Sequence, residues 1–347
     1  MCGRLRRPAA PGMIGYYIHH HGHGHRTRAA SICARTSEPV TALCSAPLGR
    51  FADVFADVVE LPRDDESVDT AEDPTAGGLL HWVPRHDRGL RERMAALASW
   101  VATARPRLLV VDVSVEVAVF ARLLGVPVVV VAMPGERTDT PHGLGYRAAE
   151  HIVAPWPREV YEPAYLRPYA DKTTYVGGIS RFDGRPVAGP APGGRPRVLV
   201  LSGSGGSSLS AERLHELAER HPGYAWDGVG VPGGPWVDDP WSDLSRADVV
   251  VGHAGQNSVA DIAAARRPAI VVAEPRPYDE QCATADALGR AGLAVTLPAC
   301  PHPDDWPKLL RRALRLDPAQ WSRWRTEGAA GRAAAVLDEV AAKVAPR

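Results

Sequence analysis

Between residues 252 and 281 the chain carries polar groups at a spacing that suits ligand chemistry. The run is His253-Ala254-Gly255-Gln256-Asn257-Ser258-Val259-Ala260-Asp261, followed after Arg267-Pro268 and an apolar stretch by Tyr278-Asp279-Glu280-Gln281. Residues 247–251 ahead of it read as a buried parallel strand, and Ile262, Ala263 and the neighbouring alanines read as the next helix. A strand, a glycine turn and a helix start bring unpaired backbone N–H groups and the positive end of the helix dipole together, where Gly255 lets a ligand approach closely. This is an anion site. Asp261 lies one turn beyond Asn257 on the same face, placed to accept from a ribose diol while phosphates occupy the helix start. The spacing suits a nucleotide diphosphate; a Rossmann-type helix start holding no sugar nucleotide is the plainer alternative.

Such a site needs a sheet to carry it, and 347 residues are too many for one ordinary core and fit two domains. Lys plus Arg and Asp plus Glu are both 40, so the net charge is zero and a nucleic-acid-binding surface is not expected. The few lysines, Lys172, Lys308 and Lys343, against many arginines reflect a high-GC genome rather than guanidinium chemistry. Cys2, Cys33, Cys44, Cys282 and Cys300 are odd in number and lack a CxxC spacing, which argues against a disulfide framework or zinc ribbon and for a reducing cytoplasm. No apolar run has the length of a membrane span. Residues 1–12 carry arginines without the apolar core of a signal peptide and read as a disordered extension, with Met13 as an alternative start.

Along the chain, residues 13–19 read as a strand, His20-His21-Gly22-His23-Gly24-His25 as a second glycine turn, and residues 26–34 as a helix. Five histidines between 19 and 25 also admit a zinc or nickel site, although His19 and His20 alternate faces if both are in the strand. His21 and His23 are most simply loop residues facing a cleft. Strands at 39–44 and 57–61 continue a parallel pattern. Residues 62–78 are acidic and irregular, which suits either a lid over a bound molecule or a solvated loop. Residues 85–104 read as a helix with Leu90, Met94, Leu97 and Val101 in one stripe. A strand follows from 107, ending at Asp112, where the aspartate is a candidate helix cap. Residues 181–196, rich in Gly and Pro, form a linker between a first domain at 13–180 and a second at 197–347. The second opens on a strand and the glycine loop Ser202-Gly203-Ser204-Gly205-Gly206. Residues 304–316 and 318–344 read as helical. Trp321 and Trp324 are packing anchors, and the last helix is a candidate to cross back to the first domain.

The stretch from His253 to Gln281 resembles the donor-binding box of the two-domain inverting glycosyltransferases of families 28 and 1, which use UDP- or TDP-sugars. It has the histidine, the glycine two residues on, the asparagine-serine pair, the acidic residue three later and the acid-glutamine pair. Gln256 departs from the aromatic residue of plant members, and Ala273-Glu274 from the usual proline. The resemblance implies a GT-B fold, two Rossmann-like parallel-sheet domains facing across a cleft, with the acceptor on the first and the donor on the second. It implies that His253 and the Asn257 and Ser258 backbone hold the diphosphate, Asp261 the ribose, and Glu280 with Gln281 the sugar hydroxyls. Gly24, Gly255, Ser204 and Gly205 would face the diphosphate, and Val237, in Trp236-Val237-Asp238-Asp239, the base.

His25 matches the general base of this family, and Asp112 the aspartate that bonds it in plant-type relatives. Imidazole suits the task because its pKa lies near working pH, and a carboxylate beside it fixes the tautomer. The implied reaction is inverting transfer of a hexose-type sugar to an acceptor hydroxyl, small-molecule or lipid, with no metal or cofactor besides the nucleotide-sugar co-substrate. In relatives that act on membrane lipids this domain docks on a bilayer, which makes Arg88, Arg91 and Arg93 candidates for peripheral membrane contact. A sugar-nucleotide 2-epimerase shares the fold but carries Asp-Ser-Gly-Gly where His253-Ala254-Gly255-Gln256 stands. A non-catalytic auxiliary subunit that binds a nucleotide sugar is the other alternative.

Overall fold

The computed structural model describes residues 13–20, 23–65, 72–189, 193–203 and 206–343. The expected contacts from Ser204 and Gly205, the cleft-facing His21 and the 1–12 extension lie outside these residues.

Strands β1 (Ile14–Ile18), β2 (Val40–Cys44), β3 (Asp57–Glu60), β4 (Leu108–Asp112), β5 (Val128–Val131), β6 (His151–Ala154) and β7 (Thr173–Tyr175) form one parallel sheet, ordered β3-β2-β1-β4-β5-β6-β7. Strands β8 (Arg197–Leu201), β9 (Ala225–Val229), β10 (Val249–His253), β11 (Ala269–Val272) and β12 (Val295–Leu297) form a second, ordered β12-β11-β10-β8-β9. Val128–Val131 is apolar throughout, and β10 is apolar or small up to His253, because helices cover both faces of each sheet.

Among the described residues, ten α-helices connect and flank the strands: α1 (Gly24–Cys33), α2 (Arg88–Ala104), α3 (Val115–Leu123), α4 (Thr140–Ala148), α5 (Ala211–Arg220), α6 (Trp241–Arg246), α7 (Gln256–Ala265), α8 (Glu280–Arg290), α9 (Trp306–Ala313) and α10 (Ala329–Lys343). Both strand orders reverse at an internal pair, β1/β4 in the first sheet and β10/β8 in the second. Ligands of such sheets bind at the carboxyl end of that reversal. The last residues of β1, β4, β8 and β10, with the segments that follow them in the chain, include His25, Asp112, residues 202–206 and the 253–261 motif. Chain order alone therefore gathers the expected site.

Two expectations are corrected. Helix α10 crosses back to the first unit, as the candidate reading of the last helix had it, rather than completing a 197–347 domain: its Ala333, Leu337 and Ala341 are buried in one core cluster with Ile14, Ala29 and Val110. Its alanine face lets it lie close against the first sheet and α1. Arg93, one of the arginines considered for bilayer contact, is 1% exposed, donating to the Tyr17 hydroxyl at 2.6 Å and the Pro62 carbonyl at 3.0 Å and pairing with Asp64 at 3.0 Å. Trp321 and Trp324 are buried in a core cluster that joins residues of both sheets, among them Ile152 and Trp156 of the first unit and Val250 and Val271 of the second, as packing anchors should be.

Candidate active site

In the register of β1 with β4, Ile18 lies opposite Asp112. That pairing puts the Asp112 carboxylate beside the first turn of α1, where His25 and Arg28, three residues apart, share a face. His25 Nδ1 is 2.9 Å from Asp112 Oδ1. Arg28 clasps the same carboxylate with Nε on Oδ2 at 2.9 Å and Nη2 on Oδ1 at 2.5 Å. Arg28 Nη2 is also 3.1 Å from Nδ1, but the shorter contact is to the ionised carboxylate, which favours the tautomer with the proton on Nδ1 and Nε2 as the basic nitrogen. Burial works against the charge on Asp112, but Arg28 and His25 outweigh it and hold the carboxyl well below the usual range. The carboxylate is therefore ionised at any physiological pH.

Asp112 does not cap the next helix. Ser114 does, accepting from Val117 N at 3.2 Å. Between them Val113 has φ of 65°, a left-handed backbone that a β-branched side chain rarely adopts. The turn releases the chain from β4 with Asp112 aimed at His25 and costs about 1–3 kcal/mol, strain of the kind found at functional sites.

Across the cleft, α7 is preceded by Gly255, which has no side chain to cap it, and α1 by His23, whose side chain does not cap it. The two starts meet: Asn257 Nδ2 donates to the Gly24 carbonyl at 3.0 Å, and Arg28 Nη1 donates to Gln256 Oε1 at 2.5 Å. The first-turn N–H groups and dipoles of both helices thus converge near His25, favourable ground for an anion. His253 is buried at the end of β10, with Nδ1 3.3 Å from the Val272 carbonyl and Nε2 2.8 Å from Ser207 Oγ. Burial pushes its pKa down, so the ring is neutral and hydrogen-bonding rather than cationic.

The other donor-side candidates have partners of their own. Asp261 is 5% exposed, accepts from Ser180 Oγ at 2.7 Å and pairs with Arg181 at 3.3 Å. Burial, only partly offset by Arg181 and Ser180, raises its pKa to about 6. Glu280 pairs with Arg137 of the first unit at 3.6 Å. Gln281 Oε1 accepts from Glu274 N at 3.0 Å, and Glu274 in turn accepts from Ser208 N at 2.8 Å and its Oγ at 2.6 Å. Val237 is half-buried, and its neighbour Trp236 is exposed with its ring edge-on to His23 at 5.6 Å. The sequence reading did not assign Arg28, Arg137, Glu274 or the Ser180–Arg181 pair. Only Arg28 left a signal, its position one turn after His25.

Among the described residues, His19, His20, His23 and His25 form no ligand group with one another. Among the described residues the compact ligand-type groups are instead His81, Asp139 and His142, and His20, Asp64 and Asp65. Each already has a guanidinium in place of a cation: Arg137 Nη1 is 3.0 Å from His142 Nε2, and Arg63 and Arg93 pair with Asp65 at 2.5 Å and Asp64 at 3.0 Å.

Residues 229–310, which hold β10, α7 and the whole motif from His253 to Gln281, match the glycosyltransferase family 28 C-terminal domain. The whole chain superposes on the glycotransferase of kitacinnamycin with a TM-score of 0.69 at 18% identity, covering 95% of this chain and 99% of that one. The chain therefore has the GT-B fold, and its residues 229–310 are similar to a family 28 C-terminal domain. A second GT-B neighbour is the calicheamicin glycosyltransferase CalG4, with a TM-score of 0.66 at 18% identity over 96% of this chain and 99% of that one. Among curated proteins, the UDP-N-acetylglucosamine--N-acetylmuramyl-(pentapeptide) pyrophosphoryl-undecaprenol N-acetylglucosamine transferase of Rhodospirillum centenum is 30% identical over 159 residues, 39% of this chain and 42% of that protein. The match spans about two-fifths of that relative's length.

Proposed function

We propose that the chain transfers a hexose-type sugar, with inversion, from a nucleotide diphosphate sugar to an acceptor hydroxyl. The observation that carries this reading is the 2.9 Å pairing of His25 Nδ1 with Asp112, directly beside the meeting point of the α1 and α7 helix starts. In this mechanism His25 Nε2 takes the acceptor proton as the hydroxyl oxygen attacks the anomeric carbon from the face opposite the diphosphate. Asp112 holds the tautomer and stabilises the imidazolium that forms. The bond to the diphosphate oxygen breaks, and the first-turn N–H groups of α7, with His253, receive the departing charge. Two helix starts supply that positive potential, which supports a reaction without a divalent ion.

A UDP-linked donor is supported by the family 28 domain and by the donor in the printed name of the partial relative. Asp261 would reach its ribose. Among the described residues no helix is long and apolar enough to cross a membrane, and the proposed setting is the cytoplasm. The test is turnover of UDP-, TDP- and GDP-sugars by purified protein, with product anomer read by NMR. Hydrolysis or transfer with retention in place of inversion, or no turnover of any donor, would reject the mechanism.

A further inference from the structure

A cavity of about 420 Å³ opens in the first domain, between β1, β5, α2, α3 and α4. It is distinct from the helix starts assigned above to the donor, but its lining includes His19, whose ring lies 5.8 Å from that of His25. A group at that end is within reach of the candidate base. We propose, building on the sugar-transfer reading, that this cavity takes the acceptor, a compact, uncharged, ring-bearing alcohol or phenol, and that Tyr278 of the second domain closes it and selects for the ring.

Size comes first. A cavity of this volume encloses most of a drug-sized molecule, and its inner wall of Met94, Val115, Val117, Ala118 and Val131 is apolar. Charge then excludes the other acceptor types. Apart from histidines, Arg137 is the cationic side chain in the lining, and it is already shared between Glu280 at 3.6 Å and His142 at 3.0 Å. His142 is neutral, because burial and Arg137 push its pKa down to about 4. Three carboxylates, Asp64, Asp65 and Glu116, also line the space. Asp64 and Asp65 are already paired with Arg93 and Arg63, and Glu116 accepts from His81 N and Trp82 N, so a diphosphate, phosphate or carboxylate placed here would find no uncommitted guanidinium or ammonium in the lining, and desolvating it would go uncompensated.

The polar end is built of rings. His81 and His142 lie 4.5 Å apart by centroid, and Tyr278 meets His142 edge-on at 4.9 Å and His81 at 5.5 Å. Such faces and edges favour a flat unsaturated guest. Tyr278 arrives from the donor side and is held there deliberately. Its φ is 62°, its carbonyl accepts from Glu136 N at 2.7 Å, and the Arg137 guanidinium lies 4.4 Å over its ring. A Cβ on Gly135 would stand 2.1 Å from the same carbonyl, so the contact needs glycine. Two residues later the chain presents Glu280 and Gln281. The segment that closes the acceptor cavity therefore runs directly into the one expected to read the sugar.

The experiment is equilibrium binding by calorimetry of a panel of neutral hydroxycoumarins, flavonols and naphthols, beside farnesyl diphosphate and undecyl phosphate, with UDP measured separately. The variants are Met94→Trp, which fills the cavity, and Tyr278→Asn, whose side chain tolerates the left-handed backbone. Expected is binding of at least one neutral ring compound, weakened at least tenfold by either variant, with UDP affinity within threefold of wild type. Tighter binding of the anionic lipids, no binding by the whole neutral panel, or binding indifferent to both variants would overturn the proposal. Loss of UDP binding in the wild-type protein would instead count against the sugar-transfer reading, and the ring-compound result would stand on its own.

Discussion

Ser180, the last residue of the first domain, donates a 2.7 Å hydrogen bond to Asp261 in the middle of α7. The residue expected to read the donor's ribose is thus tied to the point where the chain leaves the acceptor domain. Arg181, at the start of the linker, holds the other oxygen at 3.3 Å. On the proposed reading, one carboxylate serves both the donor and the start of the linker.

That carboxylate gives a pH prediction. The Asp261 pKa is raised to about 6 by burial, against an ordinary value of about 3.9 in the unfolded chain. Below both values the group is neutral in both states and costs nothing. As pH rises from about 4 through about 6 the native state must accept a buried charge, and stability on the order of 3 kcal/mol is lost. His142, lowered to about 4 by burial and Arg137, acts in the opposite direction: its contribution is present above about 6.5 and is lost as pH falls towards 4. In the wild type the two slopes partly cancel. Asp261→Asn removes one, so its unfolding free energy in urea should drop more steeply than the wild type's between pH 6.5 and 4.5. Parallel slopes in the two proteins would show that Asp261 carries no such penalty.

A second expectation concerns the ligand of the same residue. Asp261→Ala should weaken UDP binding at least tenfold, since a hydrogen bond to a charged group is worth about 1.5–3 kcal/mol. Wild-type UDP affinity should be the same in EDTA as in magnesium or manganese, because the α1 and α7 starts supply the positive potential. Calorimetry reads both. Unchanged affinity in the variant would remove Asp261 from the donor site, and a metal requirement would remove the helix-start account of the diphosphate.

Arg28 should matter for stability before it matters for turnover. It is the main counter-charge of a fully buried Asp112, and truncating one partner of a buried pair costs about 3–5 kcal/mol. Arg28→Met should show that loss in urea unfolding, while the double variant Arg28→Met/Asp112→Asn should recover most of it, the stranded charge being gone. Additive losses in the double variant would mean that Arg28 stabilises through its bond to Gln256 rather than through Asp112.

Much of this was readable in the chain. The α7 motif stands out because a glycine turn separates a valine run from an alanine run, and that local contrast survives any tertiary detail. His25 and Asp112 were placed by resemblance, and the β1/β4 register explains why they meet. What escaped depends on approach between distant segments. The Arg137–Tyr278 contact arises where two domains close on Gly135, and no spacing within either segment encodes it. The return of α10 was only a candidate reading because its alanines form an apolar face that would suit either domain. Helix α2 begins at Arg88 rather than 85, because His86, with φ of 59°, breaks the backbone and Asp87 caps it by accepting from Leu90 N at 2.6 Å.

The chemistry itself turns on His25. With Nδ1 held by Asp112, only Nε2 can take a proton, so His25→Ala should reduce transfer by about 10² to 10⁴ fold, the usual worth of a positioned general base. UDP affinity should stay within a few-fold, since the expected donor contacts lie mainly on the second domain. Asp112→Asn should lower transfer less, by leaving the imidazole without its orienting charge, and should also relieve nothing at Val113, whose strained turn is unchanged. The two defects should not multiply: His25→Ala/Asp112→Asn should transfer no more slowly than His25→Ala alone, because a carboxylate that acts through the imidazole has nothing to act on once it is gone. Single-turnover rates of the four proteins with one donor and one acceptor decide it. A fully active His25→Ala enzyme would reject the base assignment, and a double variant slower by the product of the single effects would show that Asp112 works by a separate route.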